Sequence, residues 1–482
     1  MDRVPTGTTI LVVAASLACN GSPSAPGSFD ELCGQTDPVL LLSLEADQSP
    51  STIPLHAIRR VGERLVYVVE EPEEHALFSV HSTGTCGEDR ALVVEGVDFL
   101  FDPRHAFGDA VLACREATDE VLVLDPTGSR APWPALVDVG CAALPVGAGV
   151  VGVRRHALGS DTGDLVYRSS LSDPDGPLEV LAGDVLVPLV DTYFLFADIR
   201  RLRTFGDEVL ALTSVGDILT IDVEQDTSWV EISDVAAFEL SYDGGFILYQ
   251  PGPPHPGGVF GEEREMLLRD RSTGEDLALG KSAFGTLSGG VQTGMVRVAD
   301  RVTGGTNVVL LPSLQQLYFP PERFVNGRHP ESGFVMWTPS SGGSSGILHV
   351  FDPDTETSMP VFDRRGSWTY EEDQFLLLEK TGENAYTLWE RYLDDPAPVR
   401  VADDVFQPFF VASDKLATIG DLEEDRHGTL YILDRDSGER IELDHRVNAF
   451  SGRLNWLHAL GDAFAYAVSD ADRSGIYAAR VR

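Results

Sequence analysis

An all-β repeat architecture is predicted by three observations: a recurring phrase, its period, and a spare strand at one end of the chain for an incomplete unit at the other. The phrase is an apolar run closed by an Asp, two or three small polar residues and often a Gly. It reads Val121-Leu-Val-Leu-Asp-Pro-Thr-Gly128, Met266-Leu-Leu-Arg-Asp-Arg-Ser-Thr-Gly274, Ile347-Leu-His-Val-Phe-Asp-Pro-Asp-Thr355 and Leu430-Tyr-Ile-Leu-Asp-Arg-Asp-Ser-Gly438. It returns about every 40 residues, the spacing of a repeat unit, and its runs have strand length with hairpin residues attached.

The clearest unit spans Phe406 to Val447. Its strands are predicted near Phe409-Phe-Val411, Lys415 to Ile419, Thr429 to Leu433 and Arg440 to Leu443, with the turn Asp434 to Gly438 between the last two. The turn Asp has a structural task here: its carboxylate accepts from turn N–H groups, while Gly takes the positive φ the hairpin requires. The same division gives about ten units, starting near His56, Asp98, Gly140, Leu186, Ala236, Phe284, Val325, Ser367, Phe406 and Asn448. In the seventh, Phe334 to Trp337 and Ile347 to Phe351 are the second and third strands. The tenth stops after its third strand, Ile476 to Arg480, and Val39 to Leu44 is the strand available to complete it.

An N-terminal strand that completes the last blade closes a β-propeller and removes its open edges. The phrase is similar to the Tol-associated and WD-like propeller repeats of exported bacterial proteins. That resemblance implies a single β-propeller of four-stranded blades over residues 39–482. About ten blades are expected, with seven or eight larger ones as the alternative and two smaller rings as the third choice.

Before the repeats, Thr8 to Ala18 is an apolar run of signal-peptide length, too short to span a bilayer, and it ends in Ser16-Leu-Ala-Cys19. This end resembles the lipobox of bacterial lipoproteins. The resemblance implies a signal peptide over residues 1–18, lipidation of Cys19 and attachment to the cell envelope through the lipid alone. Asn20 after the Cys favours the outer membrane by analogy with the sorting pattern. An ordinary secretory signal, giving a periplasmic or secreted protein, is the alternative. Residues 19–38 are rich in Gly, Ser and Pro and read as a flexible tether. Export makes Cys33, Cys86, Cys114 and Cys141 candidates for two disulfides with three connectivities; proximity favours Cys114 with Cys141 and Cys33 with Cys86.

Composition gives class: 43% hydrophobic and 9% aromatic residues support a sizeable core. Seventy-six acidic against 36 basic residues leave a formal charge of −40, and Lys281, Lys380 and Lys415 are the only lysines. Such a field repels phosphate backbones, so no nucleic-acid partner is expected. A cationic partner or divalent ion is allowed, and a monomer is expected.

Function is sought on the longer second-to-third-strand loops, 154–164, 251–265 and 338–346, because variable loops on a rigid scaffold carry binding. His156, His255, Glu262 and Glu263 are the binding-face candidates. Gly342-Gly-Ser344-Ser-Gly346 matches the Gly-x-Ser-x-Gly pattern, but a strand follows where the hydrolase elbow needs a helix. Asp470 and Asp472 open a calcium-loop spacing whose twelfth position is Val481 rather than an acid, so a turn is the simpler reading, and no cofactor is expected. The histidines show no zinc spacing. The expected function is a non-catalytic envelope module that binds protein, peptide or glycan. The alternative is an envelope hydrolase or lyase whose channel-mouth site leaves no linear motif.

Overall fold

A sheet covered on both faces needs apolar residues at consecutive positions, because successive side chains point to opposite sides. That pattern organises the whole chain. The computed structural model describes residues 39–43 and, with gaps, 58–480; residues 1–38, 44–57, 71–76, 101–110, 189–200, 255–262, 340–345, 449–456 and shorter stretches lie outside the description. Cys19, Cys33, Cys86, His255, Glu262, Ser344, Asp470 and Asp472 all fall outside it, as do the expected signal peptide and tether.

Eight four-stranded antiparallel sheets follow one another, at residues 59–97, 99–137, 143–186, 202–232, 235–282, 285–319, 323–360 and 367–403, and are numbered here 1 to 8 in that order. The remaining described strands, Val39–Ser43 and those from Phe406 to Arg480, form a ninth, eight-stranded sheet. Within each inner strand, neighbouring residues serve opposite seams. Leu112 packs toward sheet 3 and Ala113 toward sheet 1. Leu210 faces sheet 5 while Ala211 faces sheet 3. Leu376 faces sheet 9 while Leu377 faces sheet 7. Burial falls outward: Val209 to Leu212 in a second strand are all buried, whereas the fourth strand Thr357–Pro360 is exposed throughout.

The structure is thus an all-β, nine-bladed propeller. The expected count of about ten separate four-stranded blades, and the alternative of seven or eight, is corrected to nine. The physical cause lies between Arg440–Asn448 and Ala463–Val468, which pair at Val447 and Val468 and merge the last two sequence units into one sheet. A buried polar knot holds the junction. The Asp444 carboxylate accepts from the Tyr466 hydroxyl (2.9 Å) and from Arg473 Nη2 (2.5 Å). Burial, then the Asp444 charge, pushes the Tyr466 hydroxyl far above its ordinary range.

The strand Val39–Ser43 pairs antiparallel with Gly475–Arg480 on the edge of this ninth sheet. It also touches the first sheet. Gly87 sits at φ +84°, and a Cβ there would stand 2.2 Å from the Leu40 carbonyl oxygen, so only glycine lets the two ends of the ring approach.

In sheet 1, His81 stacks on Tyr67 with ring centroids 5.6 Å apart. Burial, then the nearby Arg90 charge, lowers the imidazole from 6.5 to about 4. Between those two values the unfolded chain binds a proton that the folded one does not. Stability present above pH 6.5 is therefore lost as pH falls toward 4. After discounting for partial exposure the loss is about 1–2 kcal/mol. Urea midpoints measured across this window should show it for the wild type and flatten in His81→Gln; identical pH profiles for the two would refute the assignment.

Candidate functional site

The recurring phrase builds turns. Asp125 Oδ1 accepts from Thr127 N (2.9 Å) and Oγ1 (2.8 Å), and its Oδ2 accepts from Ser129 Oγ (2.7 Å) and Arg130 N (3.0 Å). Burial acts to raise this carboxyl, but the bonds from Ser129, Thr127 and Arg130 outweigh it and hold the group at about 2. Asp270, Asp352 and Asp434 repeat the arrangement with Ser272, Thr355 and Ser437. Gly128, Gly274 and Gly438 close three of these turns at φ +67°, +74° and +70°.

The residue after the turn Asp docks on the preceding sheet. Arg271 reaches Glu208 and Glu231 of sheet 4, and Arg435 reaches Gln374, Glu390 and Tyr392 of sheet 8. Where Pro replaces Arg, its carbonyl does the docking: Pro126 accepts from Ser82 Oγ and Pro353 from Gln315 Nε2. This end of the propeller is therefore occupied by blade-to-blade contacts.

The opposite end carries the second-to-third-strand loops together with the connections between sheets, and a second repeated phrase that sequence reasoning missed. It is an Asp followed by a buried apolar residue: Asp138-Val139, Asp234-Val235 and Asp404-Val405 precede a first strand, and Asp184-Val185 lies near the end of the fourth strand of sheet 3. These four aspartates lie at φ +59°, +54°, +60° and +49°, a region that Asp tolerates better than most side chains. Each ties its connection to the sheet that follows. The Asp138, Asp184 and Asp234 carbonyls accept from Arg155, Ser214 and Gly252 N at 3.0, 2.8 and 2.7 Å. Asp404 uses its carboxylate, toward Asp421 N, as does Asp98 at the equivalent connection, toward Glu116 N. Asp138, Asp184 and Asp234 are exposed. The signal was present in sequence as Asp-Val or Asp-Phe at these five positions, but a two-residue phrase has no meaning until its place in the fold is known.

His156 lies at this same end, after the second strand of sheet 3. Its Nε2 is 3.0 Å from Asp164 Oδ1, and Arg154 Nη2 donates to Asp164 Oδ2 at 3.1 Å. These bonds, from His156 first and Arg154 next, hold Asp164 below the usual carboxylate range. Arg155 pairs with Asp119 at 3.6 Å on the neighbouring blade. The cluster can orient a half-exposed imidazole and hold it beside a carboxylate. Ser160, the nearest loop hydroxyl in sequence, bonds instead to the Thr162 carbonyl at 2.8 Å. Glu263 is exposed on the loop of sheet 5 and has no part in this cluster. Cys114 and Cys141 form a disulfide between sheet 2 and the entry to sheet 3. Among the described residues no group of three His, Cys, Asp or Glu is placed to hold a metal ion, and no helix is long and apolar enough to cross a membrane.

No family model and no curated protein matches the sequence. Solved structures do match in shape at low identity. The β-propeller domain of the Trilobed protease from Pyrococcus furiosus is 10% identical, with 84% of this chain and 100% of that chain covered and a TM-score of 0.33. A prolyl endopeptidase is 9% identical, with 87% and 61% covered and a TM-score of 0.34, so the chain spans less than two thirds of that protein. Oligogalacturonate lyase from Vibrio parahaemolyticus is 11% identical, with 70% and 86% covered and a TM-score of 0.27. Likeness at this level carries no argument about activity.

Proposed function

We propose that this protein is a non-catalytic β-propeller interaction module of the cell envelope, held by a lipid on Cys19, with the outer membrane as the favoured site. It binds a protein, peptide or glycan through the end that carries the connecting aspartates, and the carboxylates favour a cationic partner. The observation behind this reading is that Asp138 and Asp234 at blade connections, and Asp184 near the end of the fourth strand of sheet 3, are set by the backbone and left exposed. Fixed like charges on a rigid scaffold steer an oppositely charged partner and make its binding salt-sensitive.

The test replaces Asp138, Asp184 and Asp234 together by Asn, which tolerates the same backbone conformation and keeps the carbonyl bonds. Capture from solubilised envelopes should yield a reproducible partner with the wild type and at least about tenfold less with the triple variant, the difference shrinking in high salt. Equal capture by both proteins at low salt would refute the reading. Mass spectrometry of the mature N-terminus tests the anchor separately, through the mass of a lipid on Cys19.

One observation favours a second reading, that of an envelope hydrolase or lyase: the imidazole of His156 held by Asp164. Under that reading, turnover of a peptide, ester or glycan substrate should fall by at least about 100-fold in His156→Ala. A screen with no turnover removes it.

A further inference from the structure

Arg168 is the last residue of the third strand Thr162–Arg168 in sheet 3, and it is only 9% exposed. Its guanidinium crosses to sheet 2, where Nε donates to the Ala135 carbonyl at 2.7 Å, while Nη1 donates to the Gly176 carbonyl at 2.7 Å. Longer contacts from Nη1 reach the carbonyls of Pro174 (3.4 Å) and Asp173 (3.5 Å). The guanidinium carbon stands 5.4 Å from the centre of the Trp133 ring. All these acceptors are neutral carbonyls. In a chain with 76 acidic residues, no described carboxylate pairs with Arg168, and its Nη2 makes no hydrogen bond to a described residue. A buried cation ordinarily has a counter-ion, because removal from water is otherwise uncompensated.

Arg168 lines a cavity of about 310 Å³ between the two sheets. The other walls are Trp133, Pro134, Ala135, Val137, Pro174 and Leu178, all apolar apart from the indole N–H. Trp133 Nε1 also has no hydrogen bond to a described residue. The volume is at the low end for small-molecule sites, which combine apolar walls with a few placed donors. The Cys114–Cys141 disulfide tethers the same two sheets, with neither cysteine in the lining. A pre-formed site spares the ligand the cost of ordering it.

We infer that this cavity is a binding site for a small monocarboxylate with an apolar ring or chain. The carboxylate takes Arg168 Nη2 in a charge-assisted bond, and the apolar body lies against Trp133, Pro174 and Leu178. Charge complementarity selects the class: Arg168 is the one ionic group in the lining, so an acid is held where its neutral analogue is not. Arg168, Pro174 and Leu178 lie at the third-to-fourth-strand end of sheet 3, and the lining extends along the fourth strand of sheet 2 as far as Val137, the residue before Asp138. The two proposals rest on different side chains and are tested with different ligands, so either can fail alone.

The experiment titrates the full chain with phenylacetate and, in parallel, phenylacetamide by calorimetry. Phenylacetate should saturate one site, with phenylacetamide at least about tenfold weaker. Arg168→Gln should abolish phenylacetate binding. Because Arg168 also ties two segments, a second variant guards against misfolding: Pro174→Glu keeps every Arg168 donor and sets a carboxylate beside it on an exposed loop. It should abolish binding while near-ultraviolet circular dichroism stays that of the wild type. The proposal is overturned by non-saturating phenylacetate, by equal binding of the amide, or by undiminished binding to a folded Pro174→Glu protein. A peptide ending in Phe that binds where phenylacetate does not would overturn the small-molecule assignment.

Discussion

Arg435→Ala is expected to lower the unfolding free energy by about 3–5 kcal/mol, read as a large fall in the urea midpoint. The guanidinium side chain is 3% exposed and sits between blades, bonded to Gln374 Oε1 at 2.5 Å and to Glu390 and Tyr392. Removing it leaves Glu390, itself 13% exposed, as an unpaired charge, and leaves the Gln374 Oε1 acceptor without its Arg435 donor. Truncating one partner of a buried pair costs more than replacing both. The double change Glu390→Met with Arg435→Met should therefore cost clearly less than Arg435→Ala. A loss below about 1 kcal/mol for Arg435→Ala would show that the contact is solvent-screened and does not hold blades 8 and 9 together.

Cys141→Ser should cost about 3 kcal/mol, since the Cys114–Cys141 bridge closes a loop with a sequence separation of 27. The bridge limits the unfolded chain and also sets how sheets 2 and 3 sit. Loss of stability should thus be accompanied by weaker phenylacetate binding if the cavity between those sheets is the site inferred above. A reducing agent should reproduce both effects in a Cys33→Ser, Cys86→Ser background and change nothing further when Cys141→Ser is added to it. An unchanged unfolding midpoint in the variant would mean that sheet packing alone holds the two blades.

The turn phrase shows how much of this molecule was legible. Asp125, Asp270, Asp352 and Asp434 act within a few residues of themselves, so their role as turn acceptors could be read directly from spacing. The Arg or Pro that follows them was just as visible, yet its role was not, because the partner lies on another sheet. Arg435 and Gln374, for instance, are 61 positions apart. His156 was picked as a loop residue. Its pairing with Asp164 follows from the hairpin register that sets Arg154 opposite Asp164, which a sequence without strand bounds does not supply. The Asp-Val phrase at the connections was overlooked because its meaning is a backbone conformation, seen only as φ.

By itself the sequence determined the all-β class, the turn chemistry and the strand Val39–Ser43 as a partner for the last strand, since these rest on the repeated phrase, its period and local hydrogen bonding. Only the tertiary structure decided that the last two units fuse into a ninth sheet, which carboxylates stand exposed, and that Arg168 is buried with no counter-ion beside it. Those outcomes depend on which sheets lie side by side. Such contacts join residues tens of positions apart and are set by packing, which no local pattern encodes.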